Sequence, residues 1–202
     1  MNKTRAENWY QGYLADRILF RLLEKVDADL AKKVRQGRCL LCGAILHSAR
    51  YRRKPRGIPK TDFHRPGDIW RDSFCCAQEG CRKRHTPPSV RFLGRKVYWG
   101  FIVILVSAMR NGLNAGRLKV LREVLGVDRR TVERWREWWL KVFAESAFWK
   151  AARARFATGI DPATLPGVLC EAFGVERRDR LLDLLRFLSP ITAGALVSAG
   201  FF

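Results

Sequence analysis

Five of the six cysteines fall between positions 39 and 81, first as Cys39-Leu40-Leu41-Cys42-Gly43 and then as Cys75-Cys76 followed by Cys81. A Cys-x2-Cys pair followed by glycine has the form of a metal knuckle: the turn points both sulfurs at one ion, and the glycine relieves the tight backbone. The second pair is wider, Cys76-x4-Cys81, with Cys75-x5-Cys81 as its alternative. We assign Cys39, Cys42, Cys76 and Cys81 as a closed four-thiolate site for one structural Zn2+. Strand alternation then turns Cys75 to the opposite face. His85 is the rival ligand, ahead of His47 and His64, and Cys170 lies in an apolar helical stretch that reads as core. A closed site keeps no open coordination position, which argues for structure rather than metal catalysis.

A second group of residues suits contact with a polyanion. Arg50, Arg52, Arg53, Lys54 and Arg56 crowd a Pro- and Gly-rich stretch that reads as a loop, or a short strand with a long excursion, and Tyr51 among them could stack or pack. Arg82, Lys83 and Arg84 follow the last cysteine. Further on, Ala115 to Val124 reads as a helix, Leu125-Gly126-Val127 as a turn, and Asp128 as the N-cap of a second helix from Arg129 to about Phe143. That is a helix-turn-helix pattern, whose second helix places its first residues at base edges in the major groove. It nominates Arg129, Arg130, Glu133 and Arg134 as DNA readers, with Val132 and Trp135 turned to the core.

The elements that position these residues are mostly helical. Residues 8–34 carry apolar side chains at helical spacing, with one break allowed, and Gly37 ends the run. Trp70 to Cys76 reads as a strand entering the second knuckle. Arg95 to Asn111 reads as a strongly apolar helix, Ala144 to Phe156 as continuing helix broken by Thr158-Gly159-Ile160-Asp161-Pro162, and Leu165 to Leu188 as a last helical unit. The fold expected is mainly α with a small β zinc-ribbon. Its parts are an N-terminal helix (1–36), the ribbon (37–88), a helix-turn-helix domain (89–143) and a C-terminal helical region (144–202). Trp138, Trp139 and Phe143 read as an exposed group suited to dimerisation. Leu125-Gly-Val-Asp-Arg-Arg130 is echoed by Phe173-Gly-Val-Glu-Arg-Arg178, which reads either as a second, degenerate helix-turn-helix or, the better reading of so short a match, as coincidence.

Composition narrows the partners. The 202 residues carry a formal net charge of +20, and sixteen Lys/Arg against four Asp/Glu between Arg35 and Lys96 leave +12 in that block. Such a field attracts nucleic acid. The polar N-terminus does not read as a signal peptide, and the uncharged run Val97 to Met109 is too short for a membrane span. We therefore expect a cytoplasmic, nucleoid-associated protein with reduced thiols. The three histidines are scattered, no Walker loop, Gly-x-Ser-x-Gly or His-Glu-x-x-His occurs, and the acids after residue 142 (Glu145, Asp161, Glu171, Glu176, Asp179 and Asp183) lie in helical segments. The expectation is a binding protein, not an enzyme, with no small-molecule substrate evident.

In order and spacing, Cys39-x2-Cys42-Gly43, Cys76-x4-Cys81-Arg-Lys-Arg-His-Thr-Pro-Pro-Ser and then Gly126-Val-Asp-Arg-Arg-Thr-Val-Glu-Arg-Trp135 resemble the N-terminal part of zinc-ribbon bacterial insertion-sequence transposases. The likeness covers residues 36–142. It implies a ribbon and helix-turn-helix that hold transposon ends, with double-stranded DNA, a transposase or a second copy as partners. Two features depart from that family: the second knuckle is wider, and no nuclease domain follows within these 202 residues. A zinc-ribbon transcription regulator and an RNA-binding zinc protein are the alternatives.

Overall fold

The fold follows from where apolar residues recur at helical spacing and where they alternate. The computed structural model describes residues 9–14, 16–53, 70–93, 98–109, 114–156, 159–175 and 177–193. Helices α1 (Trp9–Leu14) and α2 (Arg17–Gln36) are separated at Asp16, whose carboxylate accepts from the Ile18 and Leu19 amides at 3.0 Å and so caps α2. This is the break expected in the first helical run, and Gly37 caps the other end. One stretch of α2 puts Leu19 and Leu23 into the main core, and a later turn puts Ala31 into a second, smaller core with Leu46, Phe74, Cys39 and Cys76.

Strands β1 (Leu46–Arg52), β2 (Trp70–Cys76) and β3 (Arg84–His85) form an antiparallel sheet in that order. The register sets Leu46 opposite Cys76, Tyr51 opposite Arg71, and Phe74 opposite His85. The sheet is tied to α2 by Asp27, which is buried and accepts from Ser89 Oγ, the Val90 amide and Arg91 Nε, each at 2.7 Å. Arg91 in turn donates to the Trp70 carbonyl.

After this clasp, β4 (Phe92–Leu93) pairs with β5 (Tyr98–Trp99), and α3 (Gly100–Ser107) follows with all eight residues buried. The apolar stretch expected as one helix from Arg95 is thus strand at Tyr98–Trp99 and helix only from Gly100. The Gly100 amide donates to the Arg91 carbonyl at 2.7 Å, which brings the chain back across β4 before it turns helical.

Helix α4 (Ala115–Leu125) and helix α5 (Arg129–Glu137) are joined at Gly126, which adopts φ +63°, a left-handed conformation that costs glycine little. Asp128 caps α5 by accepting from the Thr131 amide at 2.7 Å. The same helical path continues as a π-helical segment, Trp138–Phe143, in which the Ala144 amide reaches back to the Trp139 carbonyl. Trp139 and Phe143 are fully buried, so the expected exposed aromatic group is corrected: they lie seven and eleven residues beyond buried Val132 and extend its apolar face. Leu140 and Val142 are the exposed apolar residues of this segment.

Helix α6 (Ala147–Ala152) is a separate helix capped by Ser146, and α7 (Gly167–Phe173) and α8 (Arg178–Leu188) replace the single last unit expected. Gly174 divides them with φ +58°; the Val175 amide reaches back five residues to the Cys170 carbonyl, whereas Val127 reaches back six to Leu121. Both repeated segments thus place a left-handed glycine after a helix, but α5 has the Asp128 side-chain cap and α8 has none. The second corner is built into the core, because α8 buries Leu181, Leu182, Leu184, Leu185 and Leu188. It is also clamped to the N-terminus: Tyr13 donates its hydroxyl proton to the Val175 carbonyl, and Arg178 Nε lies 2.7 Å from Asp16 Oδ2. Among the described residues, no helix is long and apolar enough to cross a membrane.

Candidate metal centre and basic surface

The Sγ atoms of Cys39, Cys42, Cys76 and Cys81 all lie within 4.8 Å of one another, a group that could hold a metal ion. Two turns bring them together. In the first, the Gly43 amide donates to the Cys39 carbonyl at 2.8 Å, and the Cys39 amide to the Ala44 carbonyl at 2.9 Å. In the second, the Cys81 and Arg82 amides both donate to the Gln78 carbonyl, closing the four-residue gap into one tight loop. Cys76 belongs to β2 and Cys39 precedes β1, so the pairing of those strands sets one knuckle against the other. The Ala77 amide pins this arrangement on the Ile45 carbonyl at 3.0 Å.

Cys39 and Cys81 are 3.8 Å apart, and Cys42 and Cys76 are 3.4 Å apart. Burial pushes the Cys39 thiol up, yet the Leu41 and Cys42 amides and the His85 ring outweigh it and hold it at about 6. Burial pushes Cys76 up to about 12. Cys42 also lies above its ordinary value: the Ala44 amide and Cys76 favour its thiolate, but burial and the neighbouring Cys39 and Cys81 sulfurs prevail. Four sulfurs this close resist sharing several negative charges, and a cation at their centre removes that resistance.

The rival ligands separate clearly. Cys75 directs its sulfur to the Arg82 and Cys76 carbonyls, away from the group. His85 is buried on β3 with Nε2 3.4 Å from Cys39 Sγ, so its ring touches the cluster from outside, as a hydrogen-bond partner of one ligand. His47 is exposed on β1, and His64 lies outside the described residues. Cys170 is buried in the main core, where burial pushes its thiol up to about 12.

The cations nominated from the sequence do not form one uniform patch. Arg50 and Arg52 are exposed on β1; Arg50 pairs with Asp72 at 3.0 Å and Arg52 lies over the Trp70 ring. Arg53 is half-buried and folds back over Tyr51, donating to its hydroxyl at 2.9 Å. Lys54 and Arg56 lie outside the described residues. Arg82, Lys83 and Arg84 are exposed beside the second knuckle. On α5, Arg129, Arg130, Glu133 and Arg134 are all exposed at the start of the helix, while Val132 is fully buried beneath them and Trp135 packs edge-on against Tyr98. Arg53 and Arg134 line one shared cavity between the sheet and α5, together with Arg71, a residue that sequence reasoning missed. Its position in the strand-like run Trp70–Cys76 was the signal that the sequence offered.

In comparisons with known proteins, no family model, curated protein or solved structure matches this chain.

Proposed function

We propose that the protein binds double-stranded DNA sequence-specifically, as a transposase-related or mobile-element accessory protein, and that its cysteine cluster holds one structural Zn2+. The observation that carries this reading is the corner between α4 and α5. A left-handed glycine and an Asp128 cap set α5 on its buried Val132 face, which leaves Arg129, Arg130, Glu133 and Arg134 exposed over its first turns. In a helix-turn-helix those positions meet base edges, and arginine can form paired bonds to guanine. The exposed Arg50, Arg52, Arg82, Lys83 and Arg84 suit the phosphate backbone.

The sulfur spacing supports zinc. A tetrahedral ion with Zn–S bonds of about 2.3 Å places its sulfurs roughly 3.8 Å apart. The Cys39–Cys81 separation of 3.8 Å matches that spacing, the Cys42–Cys76 separation of 3.4 Å is shorter, and the whole group lies within 4.8 Å, close to the size the ion needs. The ion supplies a crosslink between the knuckles, and binding is the role proposed for the whole chain. Among the described residues, the four cysteines form a group close enough to share one ion.

Selection of binding sites from random duplex DNA, on protein purified with its metal content measured, tests the reading. An enriched duplex motif is expected, bound more tightly than unrelated duplex at the same salt. Equal and fully salt-sensitive binding to every duplex would overturn sequence specificity, and preference for structured RNA in competition would replace DNA as the partner.

A further inference from the structure

The cavity that Arg53 and Arg134 share has a volume of about 730 Å3, within the range of small-ligand sites. The sheet supplies Tyr51, Arg53 and Arg71, and the helical side supplies Arg134, Trp135 and Trp138. None of its described lining residues is acidic. Three guanidinium groups therefore approach one space, Arg71 and Arg53 from the sheet and Arg134 from the helix.

Arg71 is the telling residue. It is 4% exposed, and Nη2 donates to the Pro87 carbonyl at 3.0 Å and the Thr192 carbonyl at 2.7 Å. Its buried Nε has no hydrogen-bond partner among the described residues. A buried guanidinium N–H left without an acceptor is costly, and an anion brought within its reach offsets that cost. Arginine forks fit phosphate oxygens in paired geometry.

The opposite wall is aromatic. Trp135 is held edge-on by Tyr98 at 4.8 Å between ring centres, and Trp138 is held by Trp139 at the same separation. Trp138 opens the π-helical segment, a departure from α geometry of the kind found at functional sites. Both rings are half-buried and offer surface on which a planar base can stack.

We propose that this cavity binds one nucleotide, with its phosphate on Arg71, Arg53 and Arg134 and its base against Trp135 and Trp138. The nucleotide comes either free from solution or as an unpaired residue of bound DNA. The second source rests on the DNA-binding reading; the first does not.

The test uses the full chain. Calorimetry with dAMP, deoxyadenosine and inorganic phosphate measures the site itself. Anisotropy with a blunt duplex, and with the same duplex carrying one unpaired 5′-phosphorylated nucleotide, measures the DNA source. We expect dAMP to bind one per chain and more tightly than either fragment. Arg71→Met should weaken it about tenfold or more, the loss of a charged hydrogen bond. Trp138→Leu should weaken it by about tenfold, through lost stacking, with blunt-duplex binding unchanged. Because Arg71 also ties β2 to two carbonyls, Trp138→Leu decides the matter if Arg71→Met fails to fold.

A tighter overhang complex from which dAMP removes only the added affinity assigns the nucleotide to DNA. Binding of dAMP with no overhang effect assigns it to solution. If neither dAMP nor the overhang registers while blunt duplex still binds, the cavity proposal is overturned and the DNA reading stands. If dAMP binds and no duplex does, the DNA reading falls and the cavity remains a nucleotide site.

Discussion

Replacing Asp27 by Asn tests whether the clasp between α2 and the segment after the ribbon organises the molecule. The carboxylate and Arg91 form an ion pair at 2.7 Å with side chains only 7% and 5% exposed, and Ser89 Oγ and the Val90 amide also donate to the carboxylate at 2.7 Å. Asparagine keeps the shape but removes the charge and presents an NH2 to at least one existing donor. The Arg91 guanidinium stays buried without its counter-charge. Losing one partner of a buried pair costs about 3–5 kcal/mol, more than the roughly 1.5–3 kcal/mol of a single charged hydrogen bond. Against a typical total of about 5–15 kcal/mol, that is a large fraction. With a urea slope of about 2 kcal/mol/M, the unfolding midpoint should fall by roughly 2 M. Tryptophan fluorescence and far-ultraviolet dichroism should report the same transition. Adding Arg91→Met to Asp27→Asn should cost less than the two single changes summed, because the second removes the charge that the first stranded. A single-variant loss under about 1 kcal/mol, or strict additivity in the double variant, would refute this account.

Cys76→Ser should abolish stoichiometric zinc, measured by elemental analysis, whereas Cys75→Ser should retain it because that sulfur points to carbonyls instead of the cluster. His85→Ala should keep the four-sulfur spectrum of the cobalt-substituted protein but weaken metal binding by about 10- to 100-fold, the usual effect of losing a ligand's hydrogen-bond partner. Arg129→Ala should cost about 1–3 kcal/mol against the selected duplex and relax preference at one base position, while Lys83→Ala should weaken all duplexes alike and lower the logarithmic salt slope by about 0.9. Burial raises the Asp16 carboxyl, but Arg178 and the Leu19 and Ile18 amides prevail and hold it below the ordinary carboxylate range. Its contribution is therefore fully present above about pH 4 and is lost as pH falls through the depressed folded value. Urea midpoints of wild type and Asp16→Asn should converge over that acidic window and stay apart at neutral pH.

Local chemistry was the most legible part of the sequence. The cysteine spacing named the four sulfurs that cluster, because a knuckle depends on residues a few positions apart. Asp128 and Gly126 announced the α4–α5 corner for the same reason. What escaped depends on contacts between distant segments. The Asp27–Arg91 clasp spans 64 residues, and neither partner carries a local signature of its burial. Arg71 carries no local mark of its place, because its partners, the Pro87 and Thr192 carbonyls, lie 16 and 121 residues away. The hairpin at Tyr98–Trp99 was hidden inside a run of apolar residues, where periodicity alone does not separate buried strand from buried helix. Trp139 and Phe143 were misplaced although their spacing from Val132 held the answer.

The order in which these contacts become possible has a consequence for biosynthesis. All four clustered cysteines have been made once residue 81 is complete, yet Asp16 and Tyr13 must wait for Arg178 and Val175 near the other end of the chain. At about 5–20 residues per second, those later partners arrive roughly 5–20 s after Cys81. During that interval α2 has one end able to join a small sulfur-centred core, while the Asp16 cap at its other end still lacks Arg178. Metal supply during translation, rather than after release, would then set how much of the nascent chain is anchored before its large apolar core can close.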